Sequence, residues 1–303
     1  MTKRIFIRYM HEKRTTHTTY ILKITTMKMK PTESLSRNTE AVADSLAAMI
    51  KRELITLCSD SEGYINPSDS NTITADDRRK LVDWCYSVVD HCQLSRETVA
   101  SAMDMVDRFL SMPSDSDSGN AVARVSHEAL RDQTKFQLLT VAALYTSIKV
   151  NEEKAISSDL FADMCSQFYT AEEIEDMERT LLSGLSWQCH APTAYQIGLS
   201  ILSLILPYVD IPEVTWGFLV EEMKYFTELA VREYYFSTQR ASTVALAAIL
   251  IASDGLDFKP RQDFMKALSS FFVHFGFKDI DHMLPFLYFL SKNEEYEYTA
   301  KGF

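Results

Sequence analysis

Residues 78–92, RRKLVDWCYSVVDHC, and residues 97–111, ETVASAMDMVDRFLS, decide the fold of this chain. In the first stretch Leu81, Val82, Cys85, Val88, Val89 and Cys92 recur at steps of three and four, which places them on one face of a helix. Val99, Ala102, Met103, Val106 and Leu110 do the same in the second. Ser95 stands where an N-cap belongs, and Thr74 with Asp77 marks a start for the first helix. Hydroxyl and carboxylate oxygens accept the amides that a helix leaves unpaired at that end.

Outward from this pair the chain continues as helix after helix, with only 8 Gly and 8 Pro and no sustained period-two alternation. A leading helix fits 41–58. FQLLTVAALYTSIKV, residues 136–150, is apolar nearly all round and predicts a central helix with neighbours on every side. A shorter helix fits 157–165. Thr170 and Glu173 form a capping box before the stripe Ile174, Met177, Leu181 and Leu185. MPSDSDSGNAVARVSHEALRDQ, after Ser111, reads as a surface loop of unusual length. The second half looks like a divergent copy of the first. STVALAAILIAS (242–253) parallels LTVAALYTSIKV (139–150), and each follows a helix ending in apolar or aromatic residues, DRFLS in one case and REYYFS in the other. A unit of roughly 100 residues is too long for a solenoid repeat and suits two similar domains in tandem.

The composition bounds the function. At 303 residues and 46% apolar content the chain can bury a substantial core. Its longest apolar runs are about half of the ~20 residues needed to cross a bilayer, so no membrane association is expected. Five cysteines, at 58, 85, 92, 165 and 189, form no Cys-x-x-Cys pair and read as buried thiols in a reducing compartment. Residues 1–40 carry nine Lys or Arg against three Glu, whereas the remainder holds 22 basic and 39 acidic residues. An acidic body speaks against nucleic acid as a partner and for a basic protein surface. The basic, Thr-rich tail over 1–40 is expected to be disordered or an interaction arm rather than an organelle import signal, and a start near Met27 or Met29 would also account for it. No Gly-rich phosphate loop, zinc-ligand spacing or nucleophile elbow is present, so neither catalysis nor a metal or cofactor is expected. His91 and His190 read as surface or helix-end groups.

The order and wording of these helices resemble a cyclin: an all-α protein of two tandem five-helix cyclin folds plus an N-terminal helix, covering about residues 40–290. The implied organisation is a tail over 1–40, a cyclin box with its leading helix over 41–190, a second cyclin fold over 191–292 and a flexible tail over 293–303. Five signature positions match one at a time: Arg78, Asp107, Leu138, Lys149 and Glu178. The spacings 78–107 and 149–178 agree with the family, and only the stretch between Asp107 and Leu138 is longer. The resemblance implies a regulatory role, in which Lys149 and Glu178 form the charged centre of a face that binds a cyclin-dependent kinase. Around them Thr146, Val150, Leu182, Trp187 and Cys189 would receive the kinase's C-helix, with Trp187 either an anchor or a core residue. Arg78 with Asp107 would tie the first two helices, and Trp84 would belong to the core.

The family's apolar substrate-docking patch is altered here. Its positions hold Asp77, Arg78, Arg79, Lys80 and Leu81, with Trp84 and Gln137 still matching, so docking of kinase substrates or inhibitors would have changed selectivity. No Ser-Pro or Thr-Pro pair occurs, and the Ser-Asp stretch 114–118 is a candidate phosphorylation segment. Nucleus and cytoplasm are the expected locations. The alternative with the same helical fold is a DNA-binding relative of the TFIIB type or a scaffold, the former requiring basic faces that this body lacks.

Overall fold

The computed structural model describes residues 36–56, 63–65, 72–112, 121–153, 156–275 and 284. The tails 1–35 and 293–303, Cys58 and the Ser-Asp stretch lie outside these residues. Among the described residues there is no strand, and the helices are α1 (Ser36–Thr56), α2 (Ala75–His91), α3 (Glu97–Leu110), α4 (Ala121–Ala129), α5 (Gln133–Asn151), α6 (Ser158–Met164), α7 (Ala171–Gly184), α8 (Ala194–Ile205), α9 (Glu213–Arg232), α10 (Tyr234–Ser237), α11 (Ala241–Ala252) and α12 (Phe258–Phe275). No helix among them is long and apolar enough to cross a membrane.

The chain divides into two compact units. One consists of Met49–Thr193 with Glu228–Ala241. Its centre is α5, in which every residue from Leu139 to Ile148 is buried, as its all-round apolar character requires. Asp132 caps this helix by accepting the amides of Thr134 and Lys135. Helices α3 and α7 flank it with the predicted stripes: Val99, Ala102, Met103, Val106 and Leu110 are buried on one side, Ile174, Met177, Leu181 and Leu185 on the other. Gly184 permits a close approach, because a Cβ there would lie 2.7 Å from the ring of Phe109 and 2.9 Å from Val122.

The start of α2 is a complete capping box. The Asp77 amide donates to Thr74 Oγ1 at 3.2 Å, while the Thr74 amide and hydroxyl donate to Asp77 Oδ2 at 2.9 and 2.7 Å. Helix α3 begins one residue later than Ser95 predicts: Arg96 occupies the cap position, and the Ser95 hydroxyl accepts the Glu97 amide at 3.2 Å. Trp84 is half-buried rather than core, since the buried face of α2 is centred on Val82, Cys85, Tyr86 and Val89. Tyr86 takes the inner place, its hydroxyl donating to the Glu228 carbonyl at 3.2 Å.

The stretch read as a long loop contains a further helix, α4. Val122 and Val125 pack on the core, Ser126 and Ala129 are buried, and the Ser126 hydroxyl donates to the Phe109 carbonyl at 3.0 Å. Its inward residues are small, so the apolar pattern is weak in sequence. The cysteines also differ in part from expectation. Cys85 and Cys165 are buried, and burial pushes the Cys165 thiol up to about 11, but Cys92 and Cys189 are half-exposed.

Among the described residues of this unit Arg78 is the deepest charge, with 2% of its surface exposed. Nε and Nη2 donate to the two oxygens of Asp107 at 2.9 and 2.7 Å, and Nη1 donates to the Val231 carbonyl at 2.7 Å. Tyr64 adds its hydroxyl to Asp107 Oδ1 at 2.6 Å. Burial alone would weaken the protonated guanidinium, but the Asp107 carboxylate outweighs it and holds the group above its ordinary value. Gly63, at φ 68°, brings this segment against Tyr234, where a Cβ would meet the hydroxyl at 2.5 Å.

The other unit takes Ala194–Thr227 and the chain from Ser242 on, with the residues up to Ala48. Its central helix is α11, in which every residue from Ser242 to Ala252 is buried, as α5 is in the first unit. Ile197 and Ile201 on α8, Leu219 and Met223 on α9, and Phe264 and Leu268 on α12 are also buried.

Replacing Arg78 by Leu leaves Asp107 charged and unpaired and the Val231 carbonyl without its donor. The expected cost is about 3–5 kcal/mol of unfolding free energy, measured by urea denaturation. Asp107→Asn leaves the buried Arg78 charge uncompensated and sets an amide NH2 against one of its donors, so a cost of the same order is expected.

Candidate functional site

The last turn of α5 emerges from the core after Ile148. Lys149 is exposed, whereas Glu178 on α7 is 6% exposed. The two meet: Lys149 Nζ donates to Glu178 Oε2 at 2.7 Å. The other carboxylate oxygen, Oε1, lies 2.9 Å from the Thr146 hydroxyl, which lies 2.9 Å from the Ala142 carbonyl and has one proton to donate between them. Thr146 is thus buried beneath the pair rather than lining a surface. The Lys149 ammonium also stands 4.6 Å from the centre of the Tyr145 ring, a cation–π contact that holds it over its own helix.

Because Lys149 is partly in water, the ion pair adds little stability by itself. Its use is geometric. Lysine keeps further N–H donors, and a carboxylate with two oxygens keeps lone pairs, so the pair can bond to exposed backbone of a partner without being dismantled. Helix α7 is fixed for this by its own capping box. The Thr170 amide and hydroxyl donate to Glu173 Oε2 at 2.8 and 3.0 Å, and the Glu173 amide donates to Thr170 Oγ1 at 3.2 Å.

Apolar residues surround the pair unequally. Val150, next to Lys149, is exposed, and Leu182, one turn beyond Glu178, is buried at 9%. Cys189 is half-exposed, with its thiol raised by burial. Trp187 is 71% exposed, which decides between its two readings against a core residue. It follows a tight reversal in which Ser186 and Trp187 both take positive φ, 50° and 63°, and the Trp187 amide donates to the Leu182 carbonyl at 2.9 Å. A bulky residue in this conformation is uncommon.

The altered patch at the start of α2 is largely committed to local structure. Asp77 serves the capping box; burial favours its neutral form, but the Thr74 hydrogen bonds outweigh that and lower its pKa. Lys80 pairs with Asp76 at 2.7 Å on the surface. Leu81 and Leu138 are half-buried against the core, and Gln137 accepts from the Tyr169 hydroxyl at 3.2 Å. Among the described residues no group of three His, Cys, Asp or Glu could hold a metal ion. Sequence reasoning missed Arg108 and Tyr64. Arg108 lies beside a signature residue, one turn from Asp104, and that charge spacing was its one visible signal.

Residues 44–190 match the family described as cyclin, N-terminal domain. The chain is 26% identical over 180 residues to the human G2/mitotic-specific cyclin-B3, a match covering 59% of this chain and 11% of that protein. It is 27% identical over 219 residues to the G2/mitotic-specific cyclin-B2 of Oryzias latipes, covering 71% and 48%. It is 25% identical over 185 residues to Cyclin-A2-1 of Oryza sativa subsp. japonica, covering 61% and 34%. The matches thus span from about a tenth to about half of these relatives' lengths. The fold is similar to that of a viral cyclin from herpesvirus saimiri, with a TM-score of 0.58 at 16% identity, covering 80% of this chain and 95% of that one. These matches support a cyclin-family protein whose cyclin N-terminal domain occupies residues 44–190.

Two measurements probe how the pair is held. Thr146→Val removes the hydroxyl beneath a buried carboxylate and is expected to cost about 1–3 kcal/mol in thermal or urea unfolding. The Thr170 backbone and side-chain hydrogen bonds hold the Glu173 carboxyl below its ordinary value of 4.5. Their stabilisation is therefore fully present above that value and lost as pH falls through the lower folded one. The protection factors of the amides at the start of α7, exchange rates taken relative to the intrinsic rate at each pH, are expected to fall in that acid range, and Glu173→Gln is expected to abolish that acid dependence.

Proposed function

We propose that this protein is the regulatory subunit of a cyclin-dependent serine/threonine kinase and that the face around Lys149 and Glu178 receives the kinase. The observation that carries this reading is the Lys149–Glu178 pair, clamped from below by Thr146, with the exposed Val150 next to Lys149 in the chain and the exposed Trp187 three residues past the end of α7. A charged centre beside exposed apolar side chains suits an amphipathic helix laid across it, with a few buried anchors carrying most of the binding energy. The acidic body is consistent with a basic partner surface.

In this reading the protein performs no chemistry. It binds the arrangement in which the kinase's C-helix and activation loop are in place more tightly than the inactive one, and the population shifts by that difference in affinity. The kinase's own Lys–Glu pair and magnesium site are then aligned for phosphoryl transfer. Asp77 and Lys80 give the substrate-docking edge a polar character, so short motifs that prefer an apolar patch are expected to bind weakly.

Titration against individual cyclin-dependent kinases by calorimetry, with kinase activity measured alongside, tests the proposal. The wild-type chain is expected to bind and activate at least one. The Lys149→Ala, Glu178→Ala double variant is expected to lose about 2–5 kcal/mol of binding while remaining folded by circular dichroism. Trp187→Ala is expected to lose at least ~30-fold in affinity. Wild-type affinity in the folded double variant would overturn the site, and binding to DNA at physiological salt with no kinase bound would overturn the function.

A further inference from the structure

The loop that carries Trp187 is held by an arginine from another helix, and this tie has a use beyond stability. Ser186 and Trp187 occupy the left-handed backbone region in succession. Each such residue is strained and persists only where its surroundings over-determine it. Part of the constraint is local: the Trp187 amide donates to the Leu182 carbonyl at 2.9 Å, the Gln188 amide to the Leu185 carbonyl at 2.9 Å and the Cys189 amide to the Trp187 carbonyl at 3.1 Å.

The rest comes from outside. Arg108 of α3 donates through Nη2 to the Gln188 carbonyl at 2.8 Å, and through Nε to Asp104 Oδ2 at 2.8 Å. Its side chain is only 11% exposed, so the planar guanidinium is set by packing as well as by its two acceptors. A second, longer tie runs from Arg52 Nη1 to the His190 carbonyl at 3.3 Å.

The chain contains its own comparison. After α6, Ser166 and Gln167 both have φ 55° and precede Phe168, which is 78% exposed. There the bonds go back to the same helix: the Gln167 amide to the Ala162 carbonyl at 3.0 Å, the Phe168 amide to the Cys165 carbonyl at 3.3 Å and the Gln167 side chain to Asp163 at 2.9 Å. Among the described residues, the same backbone reversal is therefore held by local bonds. What Arg108 adds at the second loop is a fixed position relative to α3.

We propose that Arg108, oriented by Asp104, is a positioning residue: by gripping the Gln188 carbonyl it holds the Trp187 indole out of the surface in one orientation, ready for the partner helix. The partner in this statement rests on the kinase reading above; the effect on the indole in the free protein does not.

The test uses the full chain labelled with 5-fluorotryptophan, the Trp187 signal being assigned by its loss in Trp187→Phe. Arg108→Met is made in an Asp104→Asn background, which keeps the buried stem and leaves no charge unpaired, and is compared with Asp104→Asn alone. The fluorine signal of Trp187 is expected to shift and broaden, while those of Trp84 and Trp216 stay in place. Kinase affinity is expected to fall about tenfold, and the same substitution is expected to have no further effect once Trp187 is Ala, because the residues act as one unit. An unchanged Trp187 signal overturns the proposal, as does an equal affinity loss in the Trp187→Ala background. Should Arg108→Met not fold, Arg108→Lys keeps the charge for Asp104 but loses the two-pronged geometry; a smaller shift of the same signal supports the proposal, and an unchanged one overturns it. If no kinase binds the wild type, the function proposed above fails while the fluorine measurement still decides the role of Arg108.

Discussion

A buried guanidinium needs every one of its directions answered, and Arg78 sets this requirement for the unit around it. Its donors reach α3 through Asp107 and the end of α9 through the Val231 carbonyl, and Asp107 in turn receives Tyr64. Three separate pieces of chain are thereby located relative to α2 by one side chain. A methylene core tolerates small shifts, whereas a charge in a low-dielectric interior does not, because each lost bond leaves a desolvated group behind. The core gives the unit most of its stability; Arg78 gives it one arrangement.

That arrangement decides what α5 and α7 present. Helix α5 is enclosed on all sides until Ile148, so the first residues to escape it are Lys149 and Val150. Glu178 stays buried because both of its oxygens are answered from below and beside it. The site is therefore the exposed end of a rigid layer. The reversal at Ser186 and Trp187 lies just past the end of α7, and that is where a tie from a second helix is found.

Local chemistry was the legible part of the sequence. The helix stripes and the two capping boxes at Thr74–Asp77 and Thr170–Glu173 are patterns within a few residues, and they appear where the spacing puts them. The pairs Arg78–Asp107 and Lys149–Glu178 were visible only through resemblance, since nothing in a single sequence tells two residues 29 apart that they touch. Tyr64 and Val231 had no signal at all: one sits beside a glycine turn and the other offers only a backbone oxygen. Helix α4 was missed because its buried positions are Ser126 and Ala129, which look like loop residues beside a Ser-Asp run. The exposure of Trp187 was undecidable because an indole reads as core until its backbone conformation is known.

The acceptor that completes Arg78 lies beyond residue 193, and it is not alone there. Tyr86 needs the Glu228 carbonyl, Asp83 pairs with Arg232, Arg79 with Glu233 and Glu53 with Arg240. Made from its N-terminus, the chain therefore produces the whole of 49–193 before any of these partners exists. At ~5–20 residues per second, the wait until residue 241 is roughly 2–10 s, long compared with the folding of a small helical unit. During that interval a buried arginine has one acceptor too few, and the unit is completed only when its own last segment, 228–241, has been made after the intervening residues 194–227.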